Sequence, residues 1–160
     1  MIFVTIGSMF PFERLIRHMD QWALDHPGEE VFAQIGAGAY EPRHMAWERM
    51  LNPREFEGRV RAASLIVAHA GMGSFITAME NAKPIVLMPR RAADREHTTD
   101  HQLDTAHWLK DKPGVHVATT FEELVAAIGA ALSEGRENPR QVSRHAPEEF
   151  TARIRRFLIG

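Results

Sequence analysis

The chain has 160 residues, 44% of them apolar and 25% charged, with a formal net charge of −2. Those proportions suit one folded domain around one core, and exclude a fibre, a disordered chain and a broadly basic, nonspecific nucleic-acid binder. The absence of cysteine also excludes disulfides, thiolate metal sites and a cysteine nucleophile.

In chain order, Ile2 to Ile6 is a short β-branched run ending at Gly7-Ser8, the pattern of a buried strand and a turn. The opening residues lack a basic segment, their apolar run is too short for a signal peptide, and no stretch suffices to span a bilayer. These features predict a cytoplasmic protein, or one held at a membrane by a partner. Pro11 is suited to open a helix. Phe12, Leu15, Ile16, Met19 and Ala23 continue it at helical spacing until His26-Pro27-Gly28 stops it. Val31 to Ile35 reads as a second strand, ending at Gly36-Ala37-Gly38, and a short strand fits near Trp47. Asn52-Pro53-Arg54-Glu55 has the N-cap, first-turn proline and N3 glutamate of a capping box, with Phe56, Val60 and Ala63 on one face behind it.

Leu65 to Ala68 is a third strand. Gly71-Met72-Gly73-Ser74 then turns the chain into a helix carrying Phe75, Ile76 and Met79. Ile85 to Met88 is a strand, 89 to 99 a polar basic loop, 100 to 110 a helix and Val115 to Ala118 a strand. Thr120-Phe121-Glu122-Glu123 is a second capping box, opening a helix to about Ser133. A linker over 135 to 147 and an amphipathic helix over 148 to 159 complete the pattern. Strands alternating with helices predict an α/β fold, a parallel sheet with helices on both faces, as a single domain over 1 to 160. Ligands of such sheets sit at the C-terminal strand ends, where the glycine turns fall.

The strongest local feature is Leu65 to Ser74, a strand running straight into two glycines and a helix. Glycine lets the backbone approach an anion, and a helix N-terminus offers unpaired N–H groups and partial positive charge. Ser74 can cap that helix or reach a phosphate. Any tight β–α turn also uses glycine, so the turn has a purely structural reading beside the functional one. It is not a Walker loop, for no lysine follows Gly73, and not a dinucleotide fingerprint, for Ile76 stands where a third glycine belongs. The second feature is Asp94-Arg95-Glu96-His97-Thr98-Thr99-Asp100-His101-Gln102, at the same sheet end. Its carboxylate, amide and imidazole groups suit sugar hydroxyls. The plainer reading is a solvated helix start with Thr99 as N-cap and Gln102 at N3. His97 and His101, four apart, admit a metal, but the two threonines and the lack of a His-Glu-x-x-His pattern weigh against one. Arg90-Arg91 can neutralise a diphosphate or serve as a solvated turn.

Five segments occur in order over most of residues 1 to 128: Val4-Thr5-Ile6-Gly7-Ser8, Gln34-Ile35-Gly36, Ala68 to Ser74, Lys83 to Arg90, and Glu96-His97-x-x-Asp100-His101-Gln102. Together they resemble the C-terminal domain of glycosyltransferase family 28. Within it they resemble the small stand-alone subunits of Alg13 type and of PssE/EpsE type, and the last segment favours the bacterial exopolysaccharide branch. The resemblance implies a Rossmann-like half of a GT-B enzyme that holds a UDP-sugar, without a metal or other cofactor. Gly7, Ser8, His69, Ala70, Gly71, Met72, Gly73 and Ser74 are then expected at the diphosphate, helped by Arg90 or Arg91. Glu96, Asp100, His101 and Gln102 are expected at the donor sugar, and Leu51 to Phe56 beside the uracil. One departure is Thr77, which stands where the family often has an acidic residue for the ribose. A membrane-anchored Alg14/PssD-like partner is expected to supply the acceptor domain and the general base, for which His69 is a candidate by chemistry alone. The helix at 148 to 159 is suited either to dock that partner or to pack on its own sheet. The resemblance implies inverting transfer to a lipid-linked or polysaccharide acceptor at the cytoplasmic membrane face. The same residues are compatible with a non-catalytic nucleotide-sugar module, with an NAD- or metal-dependent enzyme, with a homo-oligomer, and with several donor sugars, glucuronate among them.

Overall fold

The computed structural model describes residues 1–137. The elements run β1 (Ile2–Thr5), α1 (Glu13–Asp25), β2 (Val31–Gln34), β3 (Ala46–Glu48), α2 (Pro53–Ala62), β4 (Leu65–His69), α3 (Met72–Glu80), β5 (Ile85–Met88), α4 (His101–Leu109), β6 (Val115–Val117) and α5 (Phe121–Glu137). The strands form one six-stranded sheet in the order β3-β2-β1-β4-β5-β6, and every pairing is parallel.

Side chains alternate across the sheet, as the two-residue period of a strand requires. Ile2 and Val4 join Leu15, Ile16 and Met19 of α1 and Leu124 and Ile128 of α5 on one face. Phe3, Ile66 and Leu87 join Val60, Ala78, Ala106 and Leu109 of the other three helices on the opposite face. Burial on both faces explains why the central strands read as continuous apolar runs. The chain leaves β1 toward β2 and β3 and then returns across the sheet to β4. The order therefore reverses between β1 and β4, and a crevice opens above their C-terminal ends.

Three local expectations are corrected. Pro11 does not open α1. Phe12 is the residue before the helix, at φ −141° and ψ 66°, and its ring is 1% exposed, so burying that ring sets the entry and leaves the proline outside. Thr99 does not cap α4. Asp100 occupies that position and makes no side-chain cap bond; its Oδ1 accepts the Ala92 N–H instead, at 2.8 Å. Only half of the second capping box forms. Thr120 Oγ1 accepts the Glu123 N–H at 3.2 Å, while the Glu123 carboxylate reaches Thr119 rather than Thr120.

The box at α2 forms in full, with Asn52 Oδ1 accepting the Glu55 N–H and Glu55 accepting the Asn52 N–H. The short strand near Trp47 is β3. The segment leading into it is pinned by the buried Asp20 carboxylate, which accepts from the Tyr40 hydroxyl at 2.6 Å and from the N–H groups of Arg43 and His44. Helix α5 continues to Glu137, past its expected end. The rest of the expected linker and the helix at 148 to 159 lie outside the described residues. Among the described residues no helix is long and apolar enough to cross a membrane.

Candidate functional site

The crevice above β1 and β4 is a cavity of about 1240 Å³. It holds Gly7, Ser8, His69, Gly71, Gly73, Ser74, Arg90, His101 and Gln102 of the expected residues, together with Leu51, Pro53 and Phe56. Ala70, Met72, Glu96 and Asp100 do not line it. Ala70 is buried and gives its N–H to the Met88 carbonyl at 3.2 Å.

Three glycines at this end do different work. Gly7 has φ +76°, and a Cβ there would lie 2.8 Å from His69 Cε1; a Cβ on Gly71 would lie 2.3 Å from His69 Nε2. The His69 ring is wedged between those two backbones, so both glycines are required by the fold itself. Gly73 differs, because a Cβ there would meet no protein atom within 4 Å. It sits in the first turn of α3, where glycine costs about 1 kcal/mol against alanine. The fold has no use for that glycine, but a ligand approaching the backbone would.

Helix α3 begins after Gly71 with no side-chain cap. Ser74 therefore does not cap it; its hydroxyl lies 3.4 Å from His69 Nδ1. The first amide to find a carbonyl within the turn is that of Phe75, bonded to Gly71 O at 3.2 Å. The N–H groups before it are the ones a helix leaves open, at the positive end of its dipole. Burial pushes His69 down from its ordinary 6.5 to about 4, and the nearby Arg90 charge acts in the same direction. The imidazole is therefore neutral at neutral pH, a hydrogen-bonding spacer beside the open amides.

The loop from 89 to 100 folds back on α1. Arg14 Nε and Nη2 grip both oxygens of Glu96 at 2.7 and 2.8 Å, and the same guanidinium bonds the carbonyls of Pro89 and Thr119. Glu96 also accepts the Arg91 N–H at 2.9 Å, and Arg91 pairs with Asp94. Arg90 is 3% exposed; its Nη2 donates to the carbonyls of Ile6 at 2.8 Å and Phe10 at 2.6 Å. It ties the β1–α1 loop to β5 while its charge borders the cavity. Gln102, also 3% exposed, accepts the Arg90 N–H on Oε1 at 3.1 Å and is thereby held at the cavity wall.

Arg14 and Phe10 had no role in the sequence reading, and Gln34 and His97 entered it only as members of longer segments. Gln34 donates to Gly7 O at 3.4 Å and accepts the Leu51 N–H at 3.3 Å, bridging two loops of the cavity. A glutamine within an apolar strand was the available signal. Arg14 had none, since its partner lies 82 residues away. Phe10 and His97 line the cavity; His97 was legible as half of a histidine pair and as part of the polar segment from Asp94 to Gln102. A smaller groove of about 770 Å³, bordered by Arg17, Tyr40, Arg43 and Trp47, holds none of the expected residues. Among the described residues no three His, Asp or Glu side chains come together to hold a metal ion.

A model of the glycosyltransferase family 28 C-terminal domain matches residues 1–156. The chain belongs to this family. Its relatives include the UDP-N-acetylglucosamine--N-acetylmuramyl-(pentapeptide) pyrophosphoryl-undecaprenol N-acetylglucosamine transferase of Phenylobacterium zucineum. That protein is 32% identical over 93 residues, which cover 58% of this chain and 24% of the relative. Another is the UDP-N-acetylglucosamine transferase subunit ALG13 of Cryptococcus neoformans var. neoformans serotype D, 34% identical over 80 residues, 50% of this chain and 38% of the relative. The chain thus spans well under half the length of either. The solution structure of an ALG13 superposes with a TM-score of 0.64 at 15% identity, covering 96% of this chain and 93% of that one. At that identity the likeness speaks to the fold, a Rossmann-like α/β domain of the kind expected.

Two outcomes follow for family 28 glycines and histidine placed this way. Gly71→Ala drives a methyl into the His69 ring and costs about 1–3 kcal/mol of unfolding free energy, whereas Gly73→Ala leaves stability unchanged or raises it by up to about 1 kcal/mol; urea titrations separate them, and equal losses would refute the assignment. The second concerns acid. The unfolded chain takes up a proton at His69 as pH falls through about 6.5, and the folded chain does so only near 4. The stabilisation is therefore complete above 6.5 and lost progressively down to 4. Melting temperature should decline across that window, and His69→Gln should flatten the decline, leaving a smaller slope from His18, which burial also pushes down.

Proposed function

We propose that this chain is the donor-binding part of a UDP-sugar glycosyltransferase, active with a second polypeptide that carries the acceptor. The observation that carries the reading is Gly73. Its backbone lies bare at an uncapped helix N-terminus, lines the cavity above β1 and β4, and has open space where a Cβ would stand. Membership of family 28 and the transferases among the relatives support the same reading.

In this reading the diphosphate lies across Gly7, Ser8 and the turn from His69 to Ser74, and the nucleoside runs along Thr77 toward Phe56. As the bond to the sugar breaks, negative charge grows on the departing UDP. The open N–H groups of α3 stabilise it, preorganised and without a metal. Arg90 contributes its charge from within the wall, and Gln102 meets the sugar. His69 does not serve as the base, because its ring is wedged between two glycines and titrates near 4. The base that activates the acceptor hydroxyl belongs to the partner.

The cavity mouth supports the partner. Met9 is 82% exposed, Met50 55% and Phe10 39%, and all three line the opening. Exposed apolar side chains lining a cavity suit a covering protein surface. An Alg14/PssD-like chain anchored at the cytoplasmic membrane face, working in exopolysaccharide synthesis with inversion at the sugar, is the form of the enzyme we propose.

A thermal-shift panel of UDP, UDP-sugars, NAD and GDP, with and without EDTA, tests this. Ligand at 100 times its dissociation constant adds about 2.7 kcal/mol, a rise of roughly 5–10 °C for a domain of this size. UDP compounds should produce it, with EDTA making no difference. Gly73→Asp should abolish the shift, and Gln102→Ala should weaken UDP-sugars more than UDP. A response to NAD instead, or one that EDTA removes, would refute the reading.

A further inference from the structure

The loop between β5 and α4 carries three carboxylates and one imidazole, α4 opens on a second imidazole, and the fold sorts them. Asp94 pairs with Arg91 at 2.9 Å, Glu96 is gripped by Arg14, and Asp100 accepts the Ala92 N–H. All three acids are committed to the loop's own framework, and none lines the cavity. His97 and His101 do line it. Their rings meet edge to face with centroids 4.4 Å apart, and Phe10 backs His97 at 5.3 Å. Thr99 holds both rings. Its N–H reaches His97 Nδ1 at 3.3 Å, and its hydroxyl lies 2.7 Å from His101 Nδ1.

That arrangement fixes what the rings can do. A ring nitrogen that accepts a backbone N–H carries no proton, so the His97 proton sits on Nε2. Nε2 is then a donor. It has no lone pair with which to take a proton from a hydroxyl or to ligate a metal. His101 Nδ1 is engaged as well, which leaves Nε2 of both rings to meet a ligand. The Arg90 charge borders the same end, and its Nε is buried without a partner among the described residues. The acids that do line the cavity, Glu57 and Glu80, sit on α2 and at the far end of α3, about 12 Å of helix beyond Met72. The end that carries His97, His101 and Arg90 thus presents donors and positive charge, and the loop's own carboxylates are held by other partners.

We propose that His97 and His101 receive a carboxylate on the donor sugar, so that the donor is a UDP-hexuronate rather than a UDP-hexose. This rests on the reading of the cavity as a UDP-sugar site. The Arg90-Arg91 pair does not fill the role, since Arg90 Nη2 holds two carbonyls and Arg91 holds Asp94. With the Thr99 hydroxyl donating to His101 Nδ1, that ring's proton sits on Nε2 as well; two Nε2–H donors then match the two oxygens of a carboxylate, and a neutral hydroxymethyl group offers them one.

Calorimetric titration of the full chain with UDP, UDP-glucose and UDP-glucuronate tests it. UDP-glucuronate should bind at least about tenfold tighter than UDP-glucose, the scale of a pair of charge-assisted hydrogen bonds, with or without EDTA. His97→Ala and His101→Ala should bring the two sugars toward equal affinity and change UDP affinity by less than about twofold, on that same scale. Thr99→Val, which removes the hydroxyl from His101 Nδ1 and keeps the backbone N–H on His97 Nδ1, should erode the preference more gently. Equal affinities in the unsubstituted chain overturn the proposal whatever the variants do. A preference that EDTA removes overturns it in favour of a bridging metal. Variants that lose UDP as strongly as UDP-glucuronate overturn it by assigning the rings to the diphosphate. Failure to bind UDP at all removes the underlying site reading and this proposal with it, whereas UDP binding without the acid preference removes this proposal alone.

Discussion

The His69 imidazole, wedged between the backbones of Gly7 and Gly71, is the contact on which the site depends. It sits at the C-terminal end of β4, beside the end of β1, where the strand order reverses. Three segments meet there: the turn after β1, the turn after β4, and the first turn of α3 through Ser74. A side chain at either glycine would collide with the ring, so the two turns approach as closely as backbones can. That closeness leaves the first amides of α3 facing the cavity. Burial keeps the imidazole neutral, so the amides and Arg90 supply the positive field without a further charge repelling them.

Two arginines extend this arrangement outward. Arg90 binds the β1–α1 loop from below, through carbonyls at Ile6 and Phe10, and its own N–H holds Gln102. Arg14 reaches from α1 to the loop after β5 and holds it through Glu96. A buried or half-buried ion pair of this kind gains little net stability over an apolar pair of similar size. Its value here is positional, since it sets where His97, His101 and Gln102 stand. A loop of that length, with no regular structure of its own, needs such anchors to present side chains repeatably.

The strands and the helices that pack on them were legible in the sequence, because apolar runs between glycines and a full capping box at Asn52 each answer to local chemistry. The glycine turn before α3 was legible for the same reason. The division of labour among its glycines was not, since Gly7 and Gly71 are constrained by a ring rather than by a ligand, and only Gly73 has open space above it. Glu96 and Asp100 read as sugar-facing groups because polar residues at a strand's end carry no sign of where they point. Their partners, Arg14 and the Ala92 amide, are set by the packing of the loop on α1. Thr99 likewise read as a cap, and instead holds two imidazoles. Pro11 read as a helix start, and the burial of Phe12 overrode it. In each case the missing information was a tertiary contact that no local pattern encodes.

The claim at the centre of this account is that a nucleotide diphosphate docks on the bare first turn of α3. Amide NMR spectra of the labelled full chain, titrated with UDP, test it most directly. The account predicts that the amide resonances of Met72, Gly73 and Ser74 move first and farthest, with Gly7 and Ser8 following, while those of Tyr40, Arg43 and His44 at the smaller groove stay in place. Saturable shifts confined to that smaller groove, or none at the α3 turn under concentrations where UDP is bound, would contradict it.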